Sequence, residues 1–551
     1  MPITAITIEN FKGIRDPISI KLRPITLLFG PNSSGKSTIV QALHYALEVF
    51  DRNNLDPGAT SIGGKSVDLG GFETLVNNHD LSKPIRLRID FNLENEDLPH
   101  YVDGFEFEGL DRFSYKQIWE IPMRAMEASV EVLVRWNPLL QRPMLRQYRV
   151  DINGERLARI ETTEDGKQVF LTQLNPFNPV FLENITASEA RAIAARLAKS
   201  NEGQESLLEA REFEKLGPIL SAVLLSFSME EGIAGLSEPI GIEAQGSALP
   251  RWGKPLAFHE HAWKEEVDVI DRGNFTLCLS SLLVGSGELI RDALRRLLYI
   301  GPIREIPSRS YLPEKSPDLS RWASGAKGWD VLYDAEPGFI EEVNQWLTRQ
   351  DRLNTGYRIE IKRFKEIDIE DPLMLMLSEG TGLEEMEIVQ ARMQELPVKT
   401  RVSIREEATG IELMPPDVGV GISQVLPVIV AALHIKEGIL AIEQPELHIH
   451  PALQVTMGDL FISQIERKAV TFLLETHSEH LMLRMLRRIR ETEEGTLPPG
   501  KSPLLPDQVA VYFVEQSQTG IGVTPIRVSQ EGEFIDRWPR GFFGERMEEL
   551  F

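Results

Sequence analysis

Apolar and polar residues alternate at positions 3–8 and again at 18–22, the period-two pattern of half-buried strands. Positions 25–29 are a continuous apolar run ending at Gly30, which predicts a third strand buried on both faces. Ile39, Leu43, Ala46, Leu47 and Phe50 then recur at helical spacing, so the chain opens in the order strand, glycine loop, helix. Residues 51–84 are rich in Gly, Asn and Asp and read as loops with short elements, and 85–93 alternate like another strand. From about 96 to 290 the pattern is mixed, with a strand at 129–136 and a helix at 187–199. Residues 294–300 lead into a turn-rich stretch, 301–317, and a helix is predicted at 338–347. After Pro415 come a glycine-rich turn, an apolar helix, short apolar strands at 439–442 and 470–474, and a helix at 479–490. Pro427 is tolerable only near a first helical turn, which predicts that the apolar helix starts close to Ser423. No internal repeat and no sustained heptad pattern is visible, which removes long coiled-coil arms.

The glycine loop carries the first chemistry. Gly30, Pro31, Asn32, Ser33, Ser34, Gly35, Lys36 and Ser37, followed by Thr38, match GxxxxGK[ST] between a predicted strand and a predicted helix. Glycines let successive backbone N–H groups turn inward on phosphates, and the helix that follows adds its positive end. Lys36 is placed to reach the β- and γ-phosphates, and the Ser37 hydroxyl to ligate Mg²⁺. ATP and magnesium are the cofactors this pattern implies.

Further motifs follow in order. Residues 439–451, I-L-A-I-E-Q-P-E-L-H-I-H-P, resemble the Walker B strand and following loop of RecF/SMC/OLD-like ATPases of the ABC class. Residues 470–478, V-T-F-L-L-E-T-H-S, resemble that family's last strand with its switch histidine, His477, and 8–13, I-E-N-F-K-G, resemble its first strand. Residues 417–424, D-V-G-V-G-I-S-Q, sit where the ABC signature motif belongs. The resemblance implies an α/β fold: a P-loop NTPase, ABC-ATPase-like head with a mixed sheet. The expected divisions are an N-terminal lobe (1–95), an inserted α+β subdomain (96–290), a C-terminal lobe (291–490) and a small extension (491–551). It also implies a homodimer in which ATP lies between the P-loop of one subunit and the signature of the other, with Gly421 and Ser423 offering backbone and hydroxyl donors. Glu443 is expected to hold Mg²⁺, His477 to sense the γ-phosphate, and Lys12 to approach the phosphates.

Gln444 departs from the family pattern, which has a catalytic glutamate there; a glutamine orients water but cannot take its proton, so turnover is expected to be slow. Glu446 and Glu475 remain alternatives for a base. The glutamine loop of the family is not identifiable: residues 69–80 contain Asn77, Asn78 and Asp80 but no glutamine. His448 and His450 are poor zinc ligands at i, i+2 spacing in a chain with one cysteine, Cys278, and are expected to line the loop crossing the dimer interface. The segment 299–304, Y-I-G-P-I-R, and the ending 532–543, with Trp538, Pro539, Gly541, Phe542 and Phe543, resemble recurring parts of the same subfamily without assigned chemistry. Both are expected to pack the second lobe.

Charge narrows the function. The formal net charge is −24, which repels nucleic-acid phosphate on average. The arginine groups at 291, 295 and 296 and at 484, 487, 488 and 490 are the local exceptions, read as solvated helix surfaces. No secretory signal is visible, and the strongest apolar stretches, such as 426–433, are too short to cross a bilayer, so a cytoplasmic protein is expected. By analogy with OLD-like ATPases the favoured reading is a switch gating a separate effector, such as a nuclease or toxin, in bacterial anti-phage defence. A DNA-clamping repair ATPase is the rival that charge disfavours. An intrinsic OLD-like nuclease is disfavoured because 511–515 resemble only the first strand of a Toprim domain, and an ABC-transporter subunit because of the insertion and the divergent signature.

Overall fold

The computed structural model describes residues 3–102, 119–182, 185–197, 235–243, 246–259, 263, 269–314, 318–379 and 383–539. The expected helix end at Lys199 and the motif residues Gly541, Phe542 and Phe543 lie outside these.

Two large sheets organise the chain. One is a six-stranded mixed sheet in the spatial order Leu297–Ile300, Glu437–Glu443, Ala469–Glu475, Ile25–Phe29, Val509–Ser517, Gly520–Ile526. Its first five strands run parallel and the last pairs antiparallel with its neighbour as a hairpin. The strand Ile25–Phe29 is buried at every position because helices cover both faces, which is why its sequence is continuously apolar rather than alternating. The other sheet is antiparallel with eight strands: Gly235–Ile242, Val169–Leu174, Glu155–Thr162, Arg142–Ile152, Glu127–Asn137, Ile85–Asn92, Ile3–Glu9 and Ile18–Lys21. Residues expected as an insertion thus supply the strands that extend the sheet begun by the N-terminal strands. Residues expected as a C-terminal extension supply the closing hairpin of the parallel sheet.

The helical run from Val269 to Arg295 is long and apolar enough to span a membrane, which the sequence reading overlooked. Of its most apolar 18 residues 94% are buried, as in the core helix of a folded domain. A π-helical turn, Ser281–Gly285, interrupts it, and the Tyr148 hydroxyl donates to the Leu283 carbonyl at 2.7 Å. The helix Val420–His434 begins three residues before the expected start at Ser423, so Pro427 sits about two turns in. Pro427 is accommodated by glycine: a Cβ on Gly328 would lie 2.9 Å from the Pro427 Cα.

Candidate functional site

The buried central strand delivers Gly30 to the sheet's carboxyl end, the edge where open α/β sheets bind ligands. Gly30 (φ 151°), Ser33 (φ 60°) and Gly35 (φ 98°) all have positive φ, and turns of this kind point successive backbone N–H groups to one side, as in an anion-binding nest. Side chains are excluded at both glycines. A Cβ on Gly30 would lie 2.0 Å from the Val514 carbonyl oxygen, and one on Gly35 would lie 2.1 Å from Ile521 Cδ1. The helix Lys36–Arg52 starts at Gly35 without a side-chain cap, which leaves its first N–H groups to a ligand. Pro31, Asn32 and Ser33 are exposed, Thr38 is half-buried, and the buried Ser34 Oγ has no hydrogen-bond partner among the described residues.

Lys36 is 3% exposed and folds back on its own loop, donating to the carbonyls of Gly30 (3.1 Å) and Pro31 (2.9 Å). Its Nζ lies 3.9 Å from Glu475 Oε1. Burial lowers the Lys36 pKa, and the carboxylates of Glu475, Glu446 and Glu443 oppose that.

Glu443 and Glu475 end adjacent parallel strands and are direct register partners. Their Oε2 atoms lie 3.2 and 2.8 Å from Ser37 Oγ, which has a single proton to give them. Burial raises both carboxyls, and the charge of Glu443 adds to the effect on Glu475, which is pushed up to about 7. The Tyr299 hydroxyl donates to Glu443 Oε1 at 3.0 Å and its own pKa is driven up by burial, so it stays a donor. A serine hydroxyl between two buried carboxyls is a hard-oxygen set short of positive charge, which fits Mg²⁺ held with substrate phosphates rather than in a protein cage.

Of the two candidate bases, Glu446 is committed to structure: it accepts from Thr476 Oγ1 (2.8 Å) and the His477 backbone N–H (2.7 Å). Glu475 is the one that reaches the P-loop. His477 is held neutral, its pKa lowered to about 4 by burial and by Lys36. Its Nε2 is buried without a hydrogen-bond partner among the described residues, as a group awaiting a phosphate oxygen would be. Gln444 takes a left-handed conformation (φ 46°), and its N–H donates to the Glu475 carbonyl at 2.7 Å.

Other predicted residues fall differently. Gly419 and Val420 are exposed at the start of their helix, and Gly421 abuts the loop after Glu443; a Cβ there would lie 2.5 Å from the His448 carbonyl oxygen. Ser423, expected to offer its hydroxyl outward, is instead fully buried and donates to the Pro415 carbonyl at 3.2 Å. The earlier helix start turns it inward. The charged or titratable groups acting on Lys12 and on which it acts are Asp68 and His44, and its carbonyl accepts from Asn77 Nδ2 at 2.6 Å. His450 Nδ1 caps the helix Pro451–Arg467, accepting from Ala452 N–H at 3.2 Å. Tyr299 and Arg304, expected as packing, are site residues: Arg304 donates to the carbonyls of Glu443 (2.7 Å) and Gln444 (3.2 Å). Ile521 of the C-terminal hairpin packs between Gly13 and Gly35, and Trp538 stands edge-on to Phe29 at 5.6 Å.

Among solved structures, the chain is similar to the Smc head domain with an extended coiled coil bound to the C-terminal domain of ScpA from Pyrococcus furiosus. The identity is 11%, coverage is 100% of this chain and 99% of that one, and the TM-score is 0.36. The SMC head domain from Thermotoga maritima is similar at 10% identity, covering 96% of this chain and 100% of that one, with a TM-score of 0.34. No curated protein matches the chain. Residues 504–551 match a family described as protein of unknown function (DUF3696). Residues 1–213 and 344–482, which hold the glycine loop, Glu443 and His477, match the AAA ATPase domain family, and the chain belongs to that family.

Proposed function

We propose that this chain binds ATP with Mg²⁺ at the glycine loop, hydrolyses it slowly, and uses the cycle to close and release a homodimer that gates a separate effector protein. The observation that carries the reading is the convergence of Lys36, Ser37, Glu443 and Glu475 beside the unpartnered His477 Nε2. Residues 30–38 cradle the phosphates through backbone N–H groups. Lys36 exchanges its loop carbonyls for phosphate oxygens, and neutral His477 donates to the γ-phosphate. Ser37 and Glu443 hold the metal with Glu475 beside them; magnesium, when bound, neutralises phosphate charge. Gln444 orients the attacking water, a positioning role that suits phosphoryl transfer with little proton chemistry. The outward-facing start of the helix Val420–His434, with Gly421, is the surface that meets the nucleotide of a second copy. The reducing cytosol is the compartment we assign, and the effector of an anti-phage system remains the partner class favoured by analogy.

DNA clamping finds little support. Arg291, Arg295 and Arg296 face Asp292, Asp51 and Glu437, and Arg484, Arg487, Arg488 and Arg490 face Asp459, Glu491 and Glu533. The strand that suggested a Toprim domain pairs with Ile25–Phe29 as part of the ATPase sheet. Comparison of the wild type with Lys36→Ala tests the reading: the variant is expected to lose ATP binding and hydrolysis while keeping its fold by circular dichroism. Equal turnover of the two would refute the site.

A further inference from the structure

Arg304 is 2% exposed, and the hydrogen bonds of its guanidinium go to peptide carbonyls. These carbonyls come from two separate segments: Glu443 and Gln444 at the end of the metal-site strand, and Gln424 (3.4 Å) in the helix that begins at Val420. The Gln424 side chain answers with two bonds to the Arg304 backbone, donating from Nε2 to the carbonyl at 2.6 Å and accepting the N–H at Oε1 at 3.1 Å. Both bonds agree with a single orientation of the amide. The carboxylates of Glu446 and Glu443 hold the buried charge against desolvation, while the directional bonds of the planar guanidinium all go to backbone carbonyls and so fix their geometry.

What they fix is Gln444. A non-glycine residue at φ 46° is held only when its surroundings over-determine it. Here the N–H is tied to Glu475 and the carbonyl to Arg304. The Arg304 stem is wedged from behind by the turn before the helix Ala326–Asp334, where a Cβ on Gly325 (φ 76°) would lie 2.9 Å from Arg304 Cβ. The next glycine of that helix, Gly328, presses on Pro427 in the helix that carries Gln424. Arg304, the Gln444 turn and the start of the helix Val420–His434 are therefore one packed block.

We infer that Arg304 is a positioning residue: with Gln424 it couples the helix end that meets a second copy to the left-handed turn that aims Gln444 in the same chain. Engagement of Val420 and Gly421 across a subunit boundary is then transmitted to the water-orienting side chain of the subunit's own site. The inference rests on the proposed ATPase reading and adds to it a route between the two sites of a dimer.

Two variants of the full-length chain test it. Arg304→Lys keeps the charge, but one ammonium cannot span carbonyls on two segments as a planar guanidinium does. Gln424→Met removes the clasp and leaves the guanidinium. For both, the expected result is a fall in kcat of roughly tenfold or more with ATP affinity changed by less than about threefold, normalised to the folded fraction. Hydrogen exchange supplies a readout independent of turnover. Adding Mg–ATP to the wild type is expected to protect peptides covering both 443–449 and 420–426, and in Gln424→Met only the first. If Arg304→Lys does not fold, Gln424→Met decides. Wild-type kcat and wild-type spread of protection in Gln424→Met would overturn the clasp while leaving the ATPase reading intact. A wild-type chain that binds no ATP would overturn both.

Discussion

At the scale of single residues, the site is defined by an excess of buried negative charge awaiting a cation. Burial, with the charge of Glu443 beside it, pushes the Glu475 carboxyl up to about 7 from an ordinary 4.5. Because its pKa is raised, the folded chain binds the proton more tightly than the unfolded one. Stability from this group is therefore present at low pH and is lost as pH rises from about 4.5 through about 7. Glu475 lowers the unfolding midpoint across that window while His477, held neutral, raises it, so without nucleotide Glu475→Gln should show a midpoint that gains on the wild type's as pH rises from about 4.5 to about 7. Calorimetry in buffers of different ionisation enthalpy should show Mg–ATP binding releasing protons near neutral pH, less so in Glu475→Gln. A difference between wild type and Glu475→Gln that stays constant across the window would mean that the Glu475 carboxyl is not raised as described. The motif residues Lys36, Ser37, Glu443 and His477 were legible because each belongs to a linear pattern with a mechanism. Tyr299 and Arg304 were visible only as a conspicuous string, since nothing local to positions 299–304 says that its side chains end on residue 443. Ser423 misled because its place in the helix depends on a start three residues upstream, which the sequence marks only by Gly419.

At the scale of elements, the C-terminal hairpin is the less expected part of the site. Its strand Val509–Ser517 lies parallel to the P-loop strand, and its turn brings Ile521 against Gly13 and Gly35, where the Ile521 N–H donates to the Gly13 carbonyl at 2.9 Å. Both glycines are thereby accounted for by packing against one side chain. Ile521→Ala should lower stability by about 2 kcal/mol and also weaken ATP binding. Ile526→Ala, on the same strand but packed in the core on the other side of the sheet, should lower stability comparably and leave affinity alone. Unfolding curves and a fluorescent-nucleotide titration on both variants check this, and equal affinity in the two would detach the hairpin from the P-loop's geometry. The short strands around the P-loop could be read from sequence because burial on both faces makes them uniformly apolar. The hairpin could not be assigned to the same sheet, because strand pairing between residues 25 and 509 leaves no local trace.

At the scale of the molecule, two sheets share the work. The mixed sheet gathers the glycine loop, Glu443, Glu475 and His477 at its carboxyl end, while the antiparallel sheet extends the N-terminal strands through residues the sequence had set apart. The two share one hydrophobic core, and Tyr512 in the mixed sheet both donates to and accepts from the backbone of Lys21 in the antiparallel one. Arg295, Arg484 and Arg487 face carboxylates, Arg488 is buried against Asp459, and the chain as a whole carries a net charge of −24. The start of the helix Val420–His434 faces outward, and under the proposed dimer a second copy covers it once ATP is bound. Light scattering on the purified chain, with and without Mg–ATP, tests this most directly. Predicted is a doubling of mass on adding nucleotide, reversed as ATP is consumed and absent in Lys36→Ala; an unchanged mass at saturating nucleotide, with ATP shown to be bound in the same sample, would contradict it.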